Sequence, residues 1–139
     1  MTHEESLVSP PGGGNCVNWI LGHLVKSRND ELALLGKTPV FPPEKFERYN
    51  NGRPPLTDAA EALNLKELCD DFAALQAPLV AALRTVEPEI LARPVPDSPT
   101  GNPNETVGSM ITAIAFHEAY HLGQIGLLRR TRGKPSQMP

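Results

Sequence analysis

Apolar residues recur every three or four positions in three stretches of the chain, and prolines fence those stretches off. Proline breaks helix interiors, so the windows it avoids mark where long helices can form. Three such windows are long: residues 12–38, 56–77 and 104–134. In the first, Trp19, Ile20, Leu24 and Val25 carry an apolar pattern through to Leu35, with Asn15 as a candidate N-cap and Gly36 as a left-handed stop. In the second, Asn64 and Glu67 have the spacing of an N-cap and its third-residue partner. Leu65, Leu68, Phe72, Leu75, Leu79 and Leu83 follow at helical spacing. Pro78 falls inside that pattern, which predicts a helix from about Asn64 to Val86 that bends there. The third window opens near the cap-like NPNET and closes on RRTRGKP, with Gly133 and Pro135 beyond the end. Its apolar positions, Val107, Ile111, Ile114, Ala115, Leu122, Ile125 and Leu128, go most of the way round a turn. That is the pattern of a helix at the centre of a bundle.

Composition points the same way. With 40% hydrophobic residues but only 5% aromatic ones, the chain suits helices packed on helices better than a sheet, so an all-α fold is expected. Its 139 residues are the size of one domain, residues 1–139, with 1–14 expected as a loose N-terminal segment. Within that segment Gly12-Gly13-Gly14 is not a phosphate cradle, because no G-K-[ST] follows and no strand precedes it. A net charge of −3 gives no general attraction to nucleic acid or to an anionic membrane. The basic cluster Arg129, Arg130, Arg132 and Lys134 sits where a helix should end, where cations meet the negative end of its dipole. No apolar run follows the acidic N-terminus, and the longest, around Val107 to Phe116, is too short to span a bilayer. Cys16 and Cys69 lack C-x-x-C spacing and read as buried thiols, so a cytoplasmic protein is expected.

Candidate chemistry concentrates on histidine. There are four, and His3 near the N-terminus reads as incidental. His117 and His121 stand four apart, about 40° from each other around a helix, so two imidazoles project side by side and could grip one ion. The letters HEAYH also match H-E-x-x-H, the zinc-peptidase motif, which needs a third ligand, commonly from downstream. The segment after His121 contains no His, Asp, Glu or Cys. Glu118 lies about 100° from His117 around the helix and reads as a surface or salt-bridged residue. The missing ligand must then come from upstream, where His23 lies in the middle of the first predicted helix. Three imidazoles from two helices would leave a tetrahedral ion one open position.

The stretches GGGNCVNWILGHLVKSRNDELALLG and FHEAYHLGQIGLLRRTRGKP together resemble the DinB/YfiT-like metalloenzyme family. Its members are four-helix bundles with one His on an early helix and an HxxxH pair on the last. The resemblance, over roughly residues 10–135, implies an up-down bundle with His23, His117 and His121 as ligands of a divalent transition metal. Zinc stands first, with nickel, iron and manganese as alternatives. It also implies a homodimer and, as partners, a small-molecule substrate or a low-molecular-weight thiol. Relatives usually begin with a long first helix, whereas only about ten residues precede PPGGGN here. A second chain is expected to cover the groove this leaves, or residues 37–63 to fill it in part.

Around the ligands, Gln124 is in line with His117 and could hydrogen-bond a ligand, and Trp19, one turn before His23, could wall the site. Cys16 lies about 10 Å from His23 along the helix, too far to share an ion. Gly123 and Gly126 are costly in a helix interior and read as allowing close packing of a neighbour. No side chain stands out as a general base, so the chemistry would fall to a metal-bound water or thiolate. That favours a thiol-dependent transferase or hydrolase over a peptidase. The alternative from another class is a metal-stabilised bundle without catalysis, which a fourth ligand from Cys16, Asp30 or a neighbouring chain would favour.

Overall fold

The computed structural model describes residues 1–135, and among them the chain is all-α. The helices are α1 (His3–Leu7), α2 (Val17–Leu34), α3 (Leu65–Ala74), α4 (Gln76–Arg84), α5 (Pro88–Leu91) and α6 (Val107–Arg130). A 3-10 segment, Pro43–Tyr49, fills part of the long connection between α2 and α3.

α2, and not α6, is the centre. Thirteen of the eighteen α2 residues are buried, whereas α6 buries Val107, Ile114 and Leu128 among its twenty-four. The apolar character of α6 all round its axis suggested the opposite. The difference arises because α1, α3, α4 and the 3-10 segment all pack on α2, while α6 is backed by α2 and α5. Phe116, Tyr120, Leu122 and Leu127 of α6 are left exposed. A Cβ built on Gly123 or Gly126 would meet no atom of another element within 4 Å among the described residues, so none of those elements explains the two glycines.

α2 starts one residue later than its sequence suggested. Cys16, fully buried in the core, takes the N-cap position without a side-chain bond, displacing the better capping residue Asn15. Its C-terminus closes as expected: Gly36 adopts φ +73°, with Gly36 N donating to Ala33 O and Lys37 N to Leu32 O. The expected helix over 64–86 is divided. Asn64 caps α3 through Lys66 N, but the break falls at Leu75, ahead of Pro78, which has no N–H to give the carbonyl of Ala74.

The N-terminal segment is not loose. Thr2 and Glu5 form a capping box that starts the five-residue α1, and Ser6 is buried. His3 Nδ1 accepts from Leu65 N at 3.2 Å, satisfying a free donor at the start of α3. The basic end of α6 holds this segment in place: Lys134 pairs with Glu5 at 2.8 Å and Arg132 donates to Val8 O. Cys69 is exposed, contrary to expectation, because it lies on the outer face of α3; Cys16 is buried.

Of the two expected ways of filling the groove, residues 37–63 do pack on α2. Phe46, Tyr49 and Leu56 join the core, with Phe41, Ala62 and Leu63 packed against it. Tyr49 lies directly over Gly22, where any Cβ would overlap the phenol ring, so glycine at this helix position is a packing requirement. The Tyr49 hydroxyl donates to Asn18 Oδ1 (3.0 Å) and accepts from Leu63 N (2.8 Å), while Asn18 Nδ2 donates to Leu63 O (2.9 Å). Every polar group in this knot has a partner, which is what a buried network must achieve.

α6 begins at Thr106, whose side chain and Ser109 form a reciprocal cap. Val107 N donates to Arg93 O, and the Arg93 guanidinium donates to Leu34 O at the far end of α2. α6 therefore runs back along α2 in the opposite direction, bringing its middle, His117, to the N-terminal half of α2.

Candidate metal centre

The antiparallel run of α6 on α2 brings His23, His117 and His121 together, with one ring nitrogen from each lying within 4.8 Å of the others. Ring centroids are 4.9 Å apart for His23 and His117, 5.3 Å for His23 and His121, and 4.4 Å for His117 and His121. No fourth His, Cys, Asp or Glu joins the group among the described residues. Cys16 caps α2 away from it, and Asp30 pairs with Lys26.

Two of the three rings have their tautomer fixed. His23 Nδ1–H donates to the carbonyl of Tyr49 at 2.9 Å, and His121 Nδ1–H donates to Gln124 Oε1 at 2.7 Å. Each is left with a lone pair on Nε2, the arrangement in which metal-binding histidines are held. Gln124, expected near His117, instead supports His121, and its amide is fixed in turn by donating to the Tyr120 hydroxyl at 3.1 Å. Trp19, expected to wall the site, stacks on the His23 ring at 5.0 Å and 14°; its indole N–H has no partner among the described residues.

These contacts give a direct test of whether an ion fits. His23 Nε2 and His117 Nε2 face each other across 3.0 Å. With the His23 lone pair already aimed at His117, something positive must sit between them, a proton or a cation. Zn–N bonds of ~2.1 Å at a tetrahedral angle put the nitrogens about 3.4 Å apart, so a small adjustment admits an ion. Electrostatics agree. Burial pulls His23 below the usual imidazole pKa, and burial together with the neighbouring His121 and His23 pulls His117 down to about 4. Both rings are thus neutral, with lone pairs available, at physiological pH.

Glu118 does not face the cluster as a free carboxylate. Arg28 donates to it twice and also donates to Phe72 O, its guanidinium lying 3.6 Å over the Phe72 ring. The H-E-x-x-H spelling is thus an H-x-x-x-H pair with a salt-bridged glutamate inside it. Glu31, buried beside this pair, has its carboxyl pushed up to about 7 by burial and by Glu118, with Arg28 opposing.

A cleft of about 720 Å³ opens onto His23 and His117, with Lys26, Asp30, Asn50 and Arg53 among its walls. His121 lies outside it. Sequence reasoning missed both Tyr49 and Arg28. Tyr49 acts at the site through a backbone carbonyl, which every residue type has. Arg28 could have been suspected as a charged residue inside an apolar helix pattern.

No helix among the described residues is long and apolar enough to cross a membrane. Comparison with curated proteins and with solved structures finds no match. The family model of the DinB superfamily matches residues 1–125, a span that includes the N-terminal segment, all three clustered histidines and Gln124. With nine-tenths of the sequence matched and the helical fold in place, the chain belongs to the DinB superfamily.

Proposed function

We propose that this one-domain protein is a metal-dependent enzyme acting on a small molecule, as a thiol-dependent transferase or a hydrolase, with His23, His117 and His121 as the ligands of one divalent ion. The observation that carries the reading is the cleft: it opens directly onto His23 and His117, and no fourth protein donor closes the cluster among the described residues. A purely structural zinc site is four-coordinate, whereas a three-ligand site leaves room for a reactant. An ion there, zinc foremost and nickel, iron or manganese as alternatives, would supply a Lewis acid that lowers the pKa of a thiol or water in the open position.

The protein's own residues do the positioning. The Tyr49 carbonyl and Gln124 hold His23 and His121 with their Nε2 atoms free, and the Trp19 ring keeps one face of His23 dry. Glu118 is engaged by Arg28 and so is not free to serve as general base for peptide hydrolysis, while a thiol of lowered pKa needs none. Two free cysteines fit a cytoplasmic location.

The assembly in this reading is a homodimer formed by α6. Phe116, Tyr120 and Leu127 lie along one exposed face at helical spacing, with Ala115, Ala119 and Gly123 between them. A second copy of α6 would use the space that no described residue fills beside Gly123 and Gly126.

The function is tested by titrating 2-mercaptoethanol into cobalt-substituted protein. A sulfur-to-cobalt charge-transfer band that saturates at one equivalent is expected. A full equivalent of cobalt with no such band at any thiol concentration would favour a non-catalytic site.

A further inference from the structure

The histidines account for part of the cleft lining but not for Arg53, an exposed residue that lines it as well. Arg53 closes a turn that begins at Asn50, with Arg53 N donating to Asn50 O at 3.2 Å and Gly52 at φ +78° in the position that requires glycine. Asn50 directly follows Tyr49, whose carbonyl receives the His23 proton and whose ring is locked between Gly22, Asn18 and Leu63. The backbone that presents Arg53 is therefore held to the same knot that orients His23.

Charge singles Arg53 out. Arg48, on the same segment, is consumed by Glu61 and by the carbonyls of Pro54 and Pro55. Lys26 in the cleft is neutralised by Asp30. Arg53 forms no ion pair with any described residue, which leaves the cleft one uncompensated positive charge in a chain of net charge −3. A single guanidinium fork matches a single carboxylate, and the cleft has the size of a small-molecule site.

We propose that the cleft binds a small molecule bearing one carboxylate, held by Arg53, with the opposite end of the molecule at the histidines. The role of that opposite end rests on the metal-site reading above; the Arg53 contact does not. Such a ligand would be a carboxylate-bearing thiol or a carboxylic acid with a donor atom at its far end.

The test compares acids with alcohols of equal chain length: 3-mercaptopropionate with 3-mercaptopropan-1-ol, and 6-mercaptohexanoate with 6-mercaptohexan-1-ol, by calorimetry on zinc-loaded protein. At least one acid is expected to bind about tenfold more tightly than its alcohol. Arg53→Gln should bring that pair within about twofold while leaving zinc content and the alcohol's affinity unchanged. Hexanoate against hexan-1-ol on the metal-free protein repeats the comparison without thiol or metal, so a failure to load zinc would remove the metal-site reading and still leave this one decided. Equal affinity of acid and alcohol in both forms, or an acid preference that survives Arg53→Gln, would overturn the proposal. So would tighter binding of ethyl phosphate than of hexanoate.

Discussion

Arg28 on α2 donates to both carboxylate oxygens of Glu118 on α6, Nε to Oε2 at 2.8 Å and Nη2 to Oε1 at 2.6 Å, and so clamps the two helices beside the histidine cluster. Glu118 follows His117 directly, so this pair helps fix the register that sets His117 opposite His23. Both side chains are largely out of water, and removing one partner strands the other. Glu118→Ala is expected to cost about 2 kcal/mol in urea unfolding, with a coupling of about 1.5 kcal/mol in a cycle with Arg28→Ala. The variant should keep a full equivalent of metal at reduced affinity. Additive single effects would show that the clamp contributes nothing to stability.

Glu31 sets a pH dependence. The folded carboxyl holds its proton up to about 7, against 4.5 ordinarily, because burial and Glu118 disfavour its charge. The folded state is then the better proton binder between those values, so stability falls as pH rises through that window. Glu31→Gln removes the penalty. At ~1.4 kcal/mol per pK unit, the metal-free variant should gain up to about 3 kcal/mol over the parent at pH 8 and little at pH 4.5, as read by urea unfolding. An equal gain at both pH values would show that Glu31 titrates normally.

Much of this site could be read in the sequence, for a physical reason. His117 and His121 are four apart on one helix, so their proximity follows from helix geometry alone, and His23 was the remaining internal histidine. What could not be read depends on tertiary packing. Which helix is central cannot be read from the pattern, because apolar periodicity reports how much surface a helix could bury and says nothing of how many neighbours it has. Asn15 is the better cap by chemistry, yet burial of Cys16 decides where α2 begins. Gln124 lies in line with His117, seven residues on, but its side chain bonds His121, three residues away, a choice that rotamer and packing make and spacing does not.

The knot under His23 predicts a sharp steric effect. Gly22→Ala pushes a methyl group into the Tyr49 ring and should destabilise the fold by about 3 kcal/mol. Tyr49→Phe keeps the ring but strands Leu63 N and Asn18 Oδ1, for a loss of about 1–2 kcal/mol by thermal or urea unfolding. Because the Tyr49 backbone carbonyl survives in Tyr49→Phe, this second variant should retain metal. A Gly22→Ala protein as stable as the parent would mean that Tyr49 does not pack as described.

The exposed face of α6 predicts the assembly. Phe116→Glu with Leu127→Lys should convert a dimer to a monomer in light scattering at micromolar concentration, without loss of helical content. Tyr120 is better left intact, since its hydroxyl accepts from Gln124, which supports His121. A parent protein that is already a well-folded monomer would contradict the proposed homodimer.

The most direct measurement is the metal content of the protein and of its three single variants, His23→Ala, His117→Ala and His121→Ala, after loading with a small excess of zinc and dialysis to remove unbound metal. One equivalent is expected in the parent and none in each variant, with folding of all four checked by circular dichroism. A full equivalent retained by a folded His23→Ala protein would contradict a site built by both helices.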